Sequence, residues 1–88
     1  MRVERARYFL AAVETGSLRA AAVRCGISQP ALGQQIALLE EELDVVLLTR
    51  SRSGVRPTPS GQARLQPMAR LVAAEQDVHD AATESGGS

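Results

Sequence analysis

Residues 25–43 read CGISQPALGQQIALLEEEL. The stretch describes a turn and then a helix whose two ends differ. Gly26 can turn the chain, Ile27 packs inward and Ser28 can cap a helix. Pro30 suits the first helical turn, where its missing N–H satisfies nothing in any case. From about Gln29 to Leu43, the residues Leu32, Ile36, Leu39 and Leu43 recur at i, i+4, i+7 and i+11, the stripe of a helix that buries one face. The opposite face carries Pro30, Gln34, Ala37 and Glu41, with Gly33 to one side. The polar residues near its start, Gln29, Gln34 and Gln35, are all neutral amides, and no acid occurs before Glu40. The acids Glu40, Glu41 and Glu42 crowd the last turns, where the helix dipole disfavours them. A helix start kept polar and free of carboxylates suits a face that meets a negatively charged surface and hydrogen-bonds to it.

Working outward, residues 3–15 read as an amphipathic helix, with Val3, Ala6, Phe9, Leu10 and Val13 at helical spacing and Gly16 ending it. Ser17 caps a second, short helix whose Ala20-Ala21-Ala22 permits close packing. After the third helix, Val45 to Arg50 is a strand candidate, Ser51 to Gly54 is turn-forming, and Val55-Arg56 can return antiparallel before Pro57 stops the ladder. The hairpin carries Arg50, Arg52 and Arg56. Thr58 then caps a last helix with Pro59 at its first position. This helix is expected to run to about Thr83, with Leu65, Met68, Val72 and Val78 or His79 on one side. Pro67 should bend it or leave a carbonyl unpaired. The chain thus divides into 1–58, a compact unit, 59–84, a long helix, and 85–88, a flexible tail.

Helix, helix, glycine turn, helix and an arginine-bearing hairpin is the winged helix-turn-helix order, a mainly α architecture of three helices plus a short β-hairpin wing, here followed by a long helix. In that order the third helix enters the major groove of duplex DNA by its N-terminal residues. Gln29 and Gln34 can bond base edges, Ser17 and Ser28 can face phosphate while capping, and Arg50, Arg52 and Arg56 can reach phosphates or the minor groove. Charge agrees. The formal net charge is zero, yet residues 1–70 hold ten Arg against six acids, and residues 71–88 hold four acids and no Arg. The balance is a basic working unit and an acidic end.

At these residues the sequence resembles the DNA-binding domain of the LysR-type transcriptional regulators. The segments that carry the resemblance are YFLAAVETGSLRAAA, ISQPALGQQIALLEEEL, TRSRSGVRPTPSG and the helix that follows. The resemblance implies a bacterial, cytoplasmic, nucleoid-associated regulator that binds double-stranded DNA at an inverted repeat. It implies DNA contact by Ser28, Gln29, Pro30, Ala31, Arg50 and Arg56, with Arg19, Gly33 and Gln34 at further contact positions. It also implies a homodimer, or a tetramer, in which the last helix pairs antiparallel with its mate, placing Leu65, Met68, Val72, Val78 and His79 at the dimer seam. A small-molecule effector would act only through a larger domain that this chain lacks. The sequence departs from the family where Gly33 replaces a usual Ser or Thr, Gln34 a frequent Arg, Asp44 a Gly, and Leu48-Thr49 a Phe-Glu pair; Arg19 precedes the usual Arg position, here Ala20.

Other functions find less support. No nucleophile, base and orienting acid lie at a recognised spacing and no glycine-rich phosphate loop occurs, so no catalytic or cofactor-binding residue is expected and the chain is not read as an enzyme. His79 is the sole histidine and Cys25 the sole cysteine, a set too small for a metal site or an internal disulfide. Cys25 reads as a small buried apolar residue. No segment has the apolar length to span a membrane. The alternative of another class is a winged helix that docks a protein partner. A molybdate-responsive type of regulator shares the N-terminal pattern. At 88 residues the chain buries little core, which favours dimerisation.

Overall fold

The structure, a computed structural model, describes the backbone of residues 1–87 and the side chains of residues 1–81. The chain order is α1 (Val3–Thr15), α2 (Leu18–Cys25), α3 (Gln29–Leu43), β1 (Leu48–Ser51), β2 (Gly54–Pro57) and α4 (Pro59–Gly87). Three helices, a two-stranded wing and a long fourth helix are therefore present in the expected order.

The helix ends follow local chemistry. The Ser17 and Ser28 hydroxyls accept the Ala20 and Ala31 backbone N–H groups at 3.1 and 3.2 Å, and the Thr58 hydroxyl accepts the Gly61 N–H at 3.0 Å. Each satisfies a donor that the first helical turn leaves orphaned. α1 and α2 end on left-handed Gly16 and Gly26. α3 ends the same way on Asp44, at φ 56° and ψ 42°, where the Val45 N–H reaches back to the Glu40 carbonyl at 3.1 Å. An aspartate thus adopts the conformation a glycine would take more cheaply.

Packing joins α1, α2 and α3 around Phe9, Leu32 and Leu39, with Leu47 beneath the wing; all four are fully buried. Ala6 and Phe9 of the expected α1 stripe are buried, while Val3, Leu10 and Val13 are only half-covered; Ala11 and Ala12 take part instead. Small residues there let α2 and α4 approach α1 closely. Two glycines are needed for contact. A Cβ at Gly54, which sits at φ 124°, would run into the Gly16 carbonyl oxygen, which accepts the Val55 N–H at 3.0 Å. A Cβ at Gly61 would collide with the Leu47 carbonyl oxygen and come within 3.3 Å of Phe9 Cζ.

Three expectations change. β1 starts at Leu48 rather than Val45, because residues 45–47 spend their backbone groups elsewhere. The Val45 N–H closes α3, the Leu47 N–H goes to the Glu40 carboxylate at 2.7 Å, and the Leu47 carbonyl accepts the Thr58 N–H at 2.9 Å. α4 remains one helix through Pro67 and continues to Gly87, past the expected end near 83–84; Ser88 of the expected tail lies outside the described residues. Pro67 and Ala63 are both exposed, so the carbonyl that loses its N–H partner lies on the solvent side. Met68, expected at a dimer seam, is 4% exposed within the single chain and belongs to its own core. Leu65 and Val72 are half-covered against that core, whereas Val78 is 69% exposed and His79 is exposed.

Candidate nucleic-acid interface

Hydrogen bonding sorts the three amides of α3 into two groups. Gln35 accepts a hydrogen bond from Arg5 Nε at 3.0 Å, so it ties α3 to α1. Gln29 and Gln34 are exposed on the outer face with Pro30, and Ala31 and Gly33 are half-buried beside them. Ser28 is exposed and Ser17 half-buried; as caps their oxygens are occupied, which leaves each hydroxyl proton free to donate. Gln29, Pro30 and Gly33 line an open cleft of 410 Å³ together with Leu18 of α2 and Arg50 of β1. Leu18 was not anticipated, because its apolar side chain gives no signal apart from its place after the Ser17 cap.

The wing register explains why Arg50 reaches that cleft. The antiparallel pairs are Leu48 with Pro57, Thr49 with Arg56, Arg50 with Val55 and Ser51 with Gly54. Directly paired residues share a face and alternate residues change face. Arg50 therefore lies on the inner face with buried Leu48 and Val55, and Arg56 lies on the outer face with Thr49. Arg52 occupies the turn at the wing tip and Arg19 the exposed first turn of α2.

Among the described residues, ion pairs engage three of the ten arginines, Arg5, Arg7 and Arg24, and leave those of this side unpaired. Arg5, Arg7 and Arg24 are compensated, by Glu42 at 3.4 Å, Glu75 at 2.6 Å and Glu14 at 2.7 Å. Arg19, Arg50, Arg52 and Arg56 are exposed and form no ion pair among the described residues. Two of the acids at the end of α3, Glu40 and Glu42, are engaged elsewhere. Glu40 accepts the Leu47 and Leu48 N–H groups, at 2.7 and 3.4 Å, and Glu42 also pairs with the N-terminal amine at 3.3 Å. Glu40 and Glu42 thus engage the backbone entering β1, Arg5 of α1 and the N-terminal amine. What remains is a surface of uncompensated guanidinium groups around an acid-free helix start, able to neutralise phosphates and to bond base edges.

A second cleft, of 670 Å³, lies between α1 and α4, lined among others by Arg7, Tyr8, Cys25, Glu75 and His79. Cys25 is half-buried rather than buried. Burial pushes its thiol up, against the opposite pull of Arg24 and Arg7, so its reactive thiolate is disfavoured. Among the described residues no group of His, Cys, Asp and Glu could hold a metal ion. No helix among them is long and apolar enough to cross a membrane.

Fold and surface together define a winged helix-turn-helix protein with a long appended helix. The chain belongs to the LysR family of bacterial regulatory helix-turn-helix proteins, whose family model matches residues 3–62. It is 41% identical over 87 residues to the probable HTH-type transcriptional regulator LrrA of Synechococcus elongatus, covering 98% of this chain and 30% of LrrA. It superimposes on the DNA-binding domain of BenM, solved in a complex with catB site 1 DNA, with a TM-score of 0.91 and 34% identity over 100% of this chain and 99% of that one. On full-length CbnR complexed with its target DNA the TM-score is 0.86 and the identity 36%, over 94% of this chain and 29% of CbnR. The chain therefore spans under a third of the length of LrrA and of CbnR.

Proposed function

We propose that this chain binds double-stranded DNA sequence-specifically, as a homodimer on an inverted repeat, and is the DNA-reading part of a bacterial transcriptional regulator acting at the nucleoid in the cytoplasm. Its work is binding, not catalysis. Residues 1–58 form the reading unit, with the start of α3 in the major groove and the wing along the flanking backbone, and residues 59–84 form the linker and dimerisation helix. An effector response of the whole protein belongs to sequence beyond the region shared with LrrA and CbnR. The observation that carries this reading is the start of α3 itself: its first turn carries no acid, exposed Gln29 lies in one cleft with Arg50, and Arg19, Arg50, Arg52 and Arg56 form no ion pair among the described residues. The likeness to BenM and CbnR, both solved with DNA, supports it.

The test is duplex affinity measured by fluorescence anisotropy across a salt series. Counterion release makes log affinity fall linearly with log salt, by about 0.9 per phosphate neutralised. Arg52→Ala and Arg56→Ala should each weaken binding to all duplexes alike and flatten that slope by about one. A winged helix built to dock a protein would bind DNA weakly or not at all.

A further inference from the structure

We infer that Gly33 and Arg50 act as one reading unit: the missing side chain at position 33 makes room for the Arg50 guanidinium to lie over the first turns of α3 and read a guanine edge in the groove that α3 enters. The inference rests on the DNA-binding reading above and adds to it a specificity-determining residue on the wing. Three observations carry it. The pairing of Arg50 with buried Val55 turns its side chain inward, toward α3, unlike Arg56 on the opposite face. Arg50 Nη2 lies 3.8 Å from where a Cβ on Gly33 would stand. Arg50 also closes a single cleft with Gln29, Pro30, Gly33 and Leu18, and no carboxylate among the described residues engages it.

A guanidinium held there travels with the recognition helix instead of flanking it. Its planar fork matches the O6 and N7 acceptors that guanine presents in the major groove, a fit that the point charge of lysine cannot reproduce. Space at position 33 decides whether the fork can stay. An alanine methyl would make ordinary van der Waals contact with Nη2, whereas a longer side chain would occupy the guanidinium's own volume.

The experiment selects a preferred duplex with the purified 88-residue chain, then measures affinity for every single base-pair change in its half-site. The parent chain should show one guanine position whose change costs about 5- to 150-fold, the range of one bidentate contact. Arg50→Ala and Arg50→Lys should abolish discrimination at that position and preserve it at the position lost in Gln29→Ala. Gly33→Ala should keep the guanine preference and Gly33→Leu should lose it with Arg50 intact. If Arg50→Ala instead weakens every duplex by one factor and leaves all base preferences in place, Arg50 holds phosphate and the inference is overturned. Retention of the guanine preference in Gly33→Leu would overturn the role given to Gly33. A parent chain that holds no duplex would sink the DNA-binding reading itself, and this inference with it.

Discussion

At the scale of single residues, neighbours give similar side chains different tasks. Gln29 and Gln35 are both amides of α3, but Gln35 is held by Arg5 while Gln29 stands exposed beside Pro30. Gln29→Ala should cost about 1–3 kcal/mol on a cognate duplex and little on random DNA, measured by competition binding. Equal losses on both would mean that Gln29 positions the protein without reading sequence. Cys25 shows the same dependence on surroundings. Its thiol, raised by partial burial, should alkylate more slowly at neutral pH than a free thiol, as followed by mass spectrometry. An alkylation rate equal to that of glutathione would show that the cleft around it offers no protection.

At the scale of elements, the position of the wing relative to α3 depends on Glu40. Its carboxylate accepts the N–H groups of Leu47 and Leu48, where the chain enters β1. Glu40→Ala leaves those donors without their acceptor and should destabilise the fold by about 1–3 kcal/mol in urea unfolding. Glu40→Gln, which keeps one acceptor oxygen, should lose less. Equal stability of Glu40→Ala and the parent would show that water replaces the carboxylate without cost. The end of α3 presents the opposite opportunity. Asp44 is the one described non-glycine residue at positive φ, so Asp44→Gly relieves a left-handed side chain and should raise stability by about 0.5–1 kcal/mol. A fall in stability would mean that the aspartate side chain contributes more than its backbone costs.

At the scale of the whole molecule, α4 dominates the shape. Its 29 residues span roughly 43 Å at the usual helical rise, against a longest molecular extent of 50 Å. The first half of α4 lies on the core through Met68, with the Arg7–Glu75 pair fastening it to α1. Beyond that pair the helix carries exposed residues, Val78 among them. If this half meets a second copy, Val78→Glu should yield monomers by light scattering and leave the helical circular-dichroism signal of the fold unchanged. A persistent dimer would move the seam elsewhere on the molecule. The more obvious substitutions, Leu65→Glu and Val72→Glu, cannot separate these effects, because both residues also pack against the chain's own core.

Much of this architecture is local and was therefore legible in the sequence. The caps Ser17, Ser28 and Thr58, the glycine turns, the stripe Leu32, Ile36 and Leu39, and the amide-rich start of α3 are set by interactions within a few residues, so spacing alone determines them. The end of α3 at Asp44 was marked only through the resemblance, which puts a glycine at that position; the structure shows Asp44 itself left-handed there. Tertiary structure decided the matters that depend on residues distant in the chain. Only folding shows that Gln35 serves α1, that Glu40 faces backbone instead of solvent, and that Met68 lies in the core. The start of β1 at Leu48 belongs with these, since the Val45 and Leu47 N–H groups bond Glu40 of α3 and the Leu47 carbonyl accepts the Thr58 N–H before any strand can claim them. The meeting of Arg50 and Gly33 is of the same kind. Seventeen positions separate them in the chain, and the wing register brings a guanidinium to a gap that helical periodicity records only as a weak residue.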